Sequence, residues 1–264
     1  MEDSQISEII NKLPSSVFQQ IFKNMKQIWM IARRELQSFF DSLIAYIMII
    51  VFLALSGLFT WLYGADVFFV NQASLQSFFG IAFWTLFFFI PALTMKQIAE
   101  ERKTGTIEML LTKPISEWQV LWGKFLATLI LIAVALALTL PYYITVWKLG
   151  PIDHGAVWTG YLGLLLMSSA YISVGLFAST ITNNQIVAFL LALFIGIFFH
   201  IIFGFLASNM SGTIAGIFSY LSLNTHYESV TRGVIDSKDI IYFLSIIFMG
   251  IIGAEAVLVK RTVN

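Results

Sequence analysis

The residues able to do chemistry in this chain are few and badly spaced for it. There is no G-x-x-x-x-G-K-[ST] phosphate loop, and Gly123-Lys124 lacks the upstream glycine that such a loop requires. There is no G-x-S-x-G and no H-E-x-x-H. Asp153-His154, and His226 with Glu228 nearby, are two polar pairs without metal-ligand spacing. Local polar contacts are the better reading of both. No catalytic, cofactor-binding or metal-binding residue is therefore expected. His200 stands apart because it falls inside an apolar run, about two-thirds of the way along it at about 1.5 Å per residue. An ionisable group inside a membrane is a functional hypothesis by default. With no carboxylate close in sequence, the preferred reading is a neutral imidazole bonded to another helix or to a second copy of the chain. His200 is the candidate intramembrane polar site.

The remaining polar chemistry is concentrated in Glu100–Trp118, EERKTGTIEMLLTKPISEW. Thr104, Gly105 or Thr106 can N-cap a helix, with Glu108 in its first turn at the positive end of the dipole. Ile107, Leu110 and Leu111 form an apolar stripe at i, i+3, i+4. Lys113 precedes Pro114, which stops the helix. Ser116 with Gln119 is a capping box opening the next helix. The pattern predicts a short amphipathic helix between two longer ones. Its stripe packs on lipid headgroups, on its own protein or on a partner.

The elements around this stretch are membrane spans. The chain has 264 residues, of which 58% are hydrophobic and only 11% charged. A soluble domain of that length cannot hide so much apolar surface, so the class is all-α integral membrane protein. Net charge is zero, which leaves no nucleic-acid footprint. The first long apolar run begins after Asp41, too late for a cleaved signal, so the first span acts as the insertion signal. Six spans are expected at 43–63, 78–95, 125–147, 156–178, 186–207 and 239–259, with bends at Pro91 and Pro141. Residues 1–16 form a polar tail. Residues 17–42 form an interfacial amphipathic helix, with Phe18, Phe22, Met25 and Trp29 on one face, and 43–264 form the six-span domain. Twelve of the fifteen Lys and Arg residues fall before span one, between spans two and three, or after span six; Lys148, Arg232 and Lys238 fall on the opposite side. By the positive-inside rule both termini and Glu100–Trp118 are cytoplasmic.

Residues 208–238 are then external, yet Ile214–Leu223 is apolar. Such a segment is expected to dip back into the outer leaflet and pack on protein, since unpaired backbone cannot face lipid. Gly212 and Gly216 are its expected close-packing positions.

The residues Glu101, Arg102, Gly105, Thr106, Glu108, Leu110, Leu111 and Pro114 match E-x-x-x-G-T-x-E-x-L-x-x-x-P, with Lys124 following. In this the chain resembles permeases of the ABC-2 (type V exporter) superfamily. From about Ile28 onward it is most similar to the gliding-motility-associated subfamily (GldF), through YIMIIVFLALSGLF at 46–59, Glu100–Lys124 and YLSLNTHYESVTRGVIDSKDIIYFLS at 220–245. The resemblance implies a multi-pass permease of a bacterial inner membrane without enzymatic activity of its own. It implies a homodimer, or a pairing with a related permease, surrounded by membrane lipids. Cytoplasmic ABC ATPase subunits would bind ATP and Mg. In that family the helix after span two is the coupling helix seated on the ATPase. Here it would use Glu101, Arg102, Gly105, Thr106, Ile107, Glu108, Leu110, Leu111 and Pro114. The helix before span one resembles the elbow helix, and the dip before span six the external re-entrant hairpin.

Three functions compete at this point. They are an ATP-driven exporter permease, a membrane scaffold whose ATPase does mechanical work without cargo, and an intramembrane enzyme using His200. The cargo does not follow from the residues.

Overall fold

The computed structural model describes residues 15–63, 73–106 and 115–262. It is 86% helix, with no strand among the described residues. Six helical stretches are long and apolar enough to cross a membrane: Ile44–Trp61, Gln76–Lys103, Glu117–Leu149, His154–Ile181, Gln185–Asn209 and Ser237–Lys260. They correspond to the six expected apolar runs. All but the first continue past those runs, because polar residues such as Gln97, Glu101, Gln119 and Lys124 carry the helices on.

The chain begins with α1 (Ser15–Asp41), which turns into α2 (Ile44–Trp61, span one) at Leu43, a left-handed residue with φ 60. Span two is α3 (Gln76–Thr94) followed by the short α4 (Ala99–Lys103). α3 continues through Pro91 and gives way to turns only at 95–98. Span three is α5 (Glu117–Ala137) and α6 (Leu140–Leu149), interrupted at Leu138 and Thr139 just before Pro141. Proline lacks the amide proton that would continue the ladder, so the break falls where the sequence places it. Span four is α7 (His154–Ile181), N-capped by Asp153, whose carboxylate accepts from the Ala156 amide. Span five comprises α8 (Gln185–Ile197), a π-helical turn (Phe198–Ile202) and α9 (Phe203–Asn209). Two short helices follow, α10 (Gly212–Leu221) and α11 (Leu223–Thr231), before α12 (Ser237–Thr262) carries span six.

Span four is the axis of the bundle. Of its apolar window 78% is buried, against 22% for span five. It packs on α12, α8, α3, α11 and α5. Small residues permit the approach: a Cβ at Gly175 would lie 2.1 Å from Thr94 Oγ1, and one at Gly250 would lie 2.8 Å from the Ser173 backbone. Below, the end of the bundle that carries α1, α4 and the start of span three is called basal, and the opposite end distal.

α1 lies along the start of α5. Ile31, Ala32 and Phe39 are buried, while Met25 and Trp29 of the expected apolar face are exposed. The side chains of Phe18 and Phe22 lie outside the described residues. The helix thus has two apolar sides, and the docked one was not foreseen. Docking depends on Gly123, where a Cβ would come 2.5 Å from Ile31 Cγ2 and 3.2 Å from the Ile28 carbonyl oxygen.

Replacing Gly123 with Val should therefore push α1 off α5 and cost about 1–3 kcal/mol through overpacking. Hydrogen exchange across 24–40 should speed up in the variant while exchange in span four stays slow. Unchanged exchange in α1 would show that the contact does not hold it.

Candidate functional site

Four charges meet at the basal end. Lys124, one turn into the apolar part of α5, is fully buried. Its ammonium lies 2.8 Å from Glu101 Oε1 and 3.3 Å from Glu35 Oε1. Arg34 approaches the same two carboxylates, at 2.6 Å from Glu35 and 3.4 Å from Glu101. Two cations and two anions from α1, α4 and α5 thus form one neutral cluster. Burial pushes the Glu35 carboxyl up, but Lys124 and Arg34 outweigh it and hold it below its ordinary value of 4.5.

The cluster sits at the root of the segment that links spans two and three. Arg102 Nη1 donates to the Thr180 carbonyl at the end of span four. Ser179 Oγ accepts from the amides of Ile98 and Ala99 and donates to the Met95 carbonyl, so its hydroxyl satisfies the backbone where α3 breaks. Gln97 Nε2 donates to Thr128 Oγ1 in span three. The outgoing stem is anchored as well. Ser116 and Gln119 form the expected reciprocal capping box, and Gln119 Nε2 also donates to Asn24 Oδ1 of α1 at 2.9 Å.

Between these stems, Thr104 and Gly105 close the incoming helix. Thr104 Oγ1 donates to the Glu100 carbonyl at 2.9 Å, and Gly105 takes φ +72, the left-handed conformation in which helices commonly end. Thr106 Oγ1 donates back to the Glu101 carbonyl at 3.2 Å. Ile107, Glu108, Leu110, Leu111 and Pro114 lie outside the described residues. The incoming stem is flanked by two clefts. One, of about 480 Å³, is lined by Arg34, Glu35, Lys96, Glu101 and Thr106 among others; the second, of about 780 Å³, by Lys103 and the turn at 181–186.

The distal candidates resolve differently. His200 is buried on the π-helical turn, and its Nδ1 lies 2.7 Å from the Tyr171 hydroxyl of span four. Phe83 stacks on its ring at 4.2 Å. His226 pairs not with Glu228 but with buried Asp239, Nδ1 to Oδ1 at 2.6 Å, and its Nε2 lies 3.0 Å from the Tyr220 carbonyl. Glu228 instead takes Asn224 and Arg232. His154 meets the Tyr143 hydroxyl. Among the described residues Gly212 and Gly216 make no close contact: a Cβ at either would meet nothing within 4 Å. Gly212 serves a turn, with φ +68, and α10 has no buried residue. The apolar segment after span five folds as a helix whose own hydrogen bonds satisfy its backbone.

The sequence reading missed Glu35, Gln97, Thr128, Ser179 and Asn24. For Glu35 a signal existed. Lys124 stands alone in an apolar run, and an intramembrane ammonium requires a counter-charge. Glu35 and Glu101 are helix-end carboxylates on the same side of the membrane by the charge rule. The others are neutral polar residues whose partners lie dozens of positions away.

An all-helical bundle with six apolar spans, a buried ion cluster at one end and an anchored polar link between spans two and three defines a multi-pass membrane protein built to brace that link. The family model described as ABC-2 family transporter protein matches residues 65–259, and the chain belongs to that family. Its members are typically non-catalytic membrane subunits that work with a cytoplasmic ABC ATPase. No curated protein matches the chain.

Removing Lys124 leaves two carboxylates with only the half-exposed Arg34 between them. Lys124→Met should cost about 3–5 kcal/mol. Glu35→Gln should cost less, because Glu101 still holds the ammonium. A carboxyl with a lowered folded pKa contributes stability that is present above its ordinary value and lost below it. Wild-type melting temperature should therefore fall as pH drops below about 4.5, and Glu35→Gln should flatten that fall. Unfolding in lipid nanodiscs across pH 3.5–7.5 measures both effects.

Proposed function

We propose that this chain is the permease subunit of an ABC exporter in a bacterial inner membrane. The basal end faces the cytoplasm, and residues 104–116 are the coupling segment that docks on a separate ATPase. That ATPase binds ATP and Mg; this chain binds neither. α1 is the elbow helix, with Met25 and Trp29 toward the membrane interface, and the α10–α11 pair is the external hairpin. Two copies, or one copy with a related permease, enclose the route. The similarity to the gliding-motility subfamily supports a role in that process.

One observation carries the reading. The stem of the link between spans two and three is fastened through a single cluster to α1, span three and, by Arg102, span four. A load applied to that link would reach three spans as one body rather than bending a loose loop. A surface loop without such a role needs no buried ammonium at its root. The basic residues on this side support the cytoplasmic orientation, and the apolar stripe Ile107, Leu110 and Leu111 supports a protein groove as its acceptor.

The test is the double variant Leu110→Ala, Leu111→Ala. Each buried Leu contributes roughly 1.5–3 kcal/mol, so an ATPase contact of micromolar class should weaken about a hundredfold or more. Membrane insertion should be normal, and ATPase co-purification should fall. Glu108→Lys should act more mildly, by about 0–1 kcal/mol, as a rim charge. Full ATPase retention with normal transport in the double variant would remove the coupling role.

A further inference from the structure

A cavity of about 660 Å³ opens in the distal half of the bundle, between span two, the end of span five and α11. That is within the usual range for small-molecule sites, about 300–1,000 Å³. His200 is on its wall, 4% exposed, and its Nε2 has no hydrogen-bond partner among the described residues. The other ring nitrogen is engaged by Tyr171, which does not line the cavity. Nε2 is therefore the ring atom left for a ligand.

The partner of Nδ1 also assigns its proton. The Tyr171 hydroxyl has no other acceptor among the described residues, so it donates to Nδ1. A neutral imidazole that accepts at Nδ1 carries its hydrogen at Nε2. The unpaired group is thus a buried N–H donor, and leaving it unmatched costs about 1–3 kcal/mol. It sits on the π-helical turn Phe198–Ile202, a departure from α-geometry found frequently at functional sites. Around it the wall is aromatic: Phe83 stacks on the imidazole, and Trp84 meets its edge at 4.4 Å. The mouth is polar but balanced. Both oxygens of Glu228 are occupied, by Asn224 at 2.7 Å and by Arg232 at 3.2 Å.

We infer that this cavity binds a single-chain amphiphile through an acyl carbonyl, which accepts the His200 Nε2–H while the apolar chain lies on the aromatic wall and an uncharged polar head meets the Glu228–Arg232 mouth. The donor selects an acceptor oxygen at depth. The neutralised mouth selects against a free strong charge. The site is complete in one chain and depends on neither the ATPase nor the direction of transport, so it stands or falls separately from the coupling role.

Gly80 provides a way to narrow the cavity. It lines the wall, and a Cβ there would meet nothing within 4 Å, so Gly80→Leu adds bulk at the wall from an unobstructed Cβ. The experiment uses purified full-length protein in nanodiscs of diether lipid, which lack acyl carbonyls. The probe is monolauroylglycerol with a terminal diazirine, compared with its alkyl-ether analogue. In the wild type the ester probe should photolabel peptides spanning 76–84 and 200–205, and the ether analogue should label them about tenfold less. His200→Phe keeps a ring against Phe83 but removes the donor, and should lower ester labelling to the ether level. Gly80→Leu should lower labelling by both probes. Equal labelling of the wild type by ester and ether would overturn the inference without need of a variant. So would unchanged ester labelling in a folded Gly80→Leu protein, or labelling spread evenly over the lipid-facing side of span one.

Discussion

An ammonium inside an apolar helix must be neutralised, and Lys124 sets that demand for the basal half of the molecule. An uncompensated lysine at the centre of a spanning helix costs about 2.5–3.5 kcal/mol on insertion scales. Here two carboxylates meet it, one from each neighbouring element, and Arg34 balances the second negative charge. The arrangement works only if α1 lies on α5, which Gly123 permits, and if α4 continues span two far enough to bring Glu101 over the same point. Packing and electrostatics are therefore one constraint. Loss of either the close approach at Gly123 or the charge balance at Lys124 releases the other.

The two ends of the bundle meet the cost of buried polarity by different means. At the basal end, charges cancel beside an open cleft. At the distal end the groups are neutral or paired singly: His200 with Tyr171, His226 with Asp239, Tyr242 with the Leu221 carbonyl. The Tyr242 ring stacks on His226 at 4.0 Å, so the corner between α10 and α11 is fastened to the start of span six by a ring contact and a hydroxyl together. α10 itself has no buried residue; besides this corner it packs on α9, where Phe203 and Phe218 stack at 6.1 Å.

The parts legible in the chain were those written in local periodicity. Six apolar runs, the break at Pro141 and the Ser116–Gln119 capping box need only neighbouring residues, and each is found where the pattern puts it. Thr104-Gly105 is a double signal, since Thr is a good N-cap and Gly a good helix stop; Gly105 does follow the end of the incoming helix, and Lys103 before it suits such an end. What local pattern could not reveal is partnership across the bundle. Glu35 and Lys124 are far apart in sequence, as are Ser179 and Met95, and only the antiparallel order of the spans brings them to one level. His200 was legible as unusual but not as a donor, because its tautomer is set by Tyr171 on a different helix. The apolar stripe at Ile107, Leu110 and Leu111 is a local pattern too, and its role rests on the chemistry of its partner rather than on this chain alone.

The central claim is that the Lys124 cluster acts as one joint between the link segment and the spans. A double-mutant cycle with Glu101→Gln, Lys124→Met and the two together, read by reversible unfolding in nanodiscs at neutral pH, tests it most directly. If the two groups act as one, the double variant should be more stable than the sum of the single losses by about 2 kcal/mol, within the range seen for residues in direct contact. Losses that add to within about 0.5 kcal/mol would mean that Glu101 and Lys124 act independently, and the joint would not exist.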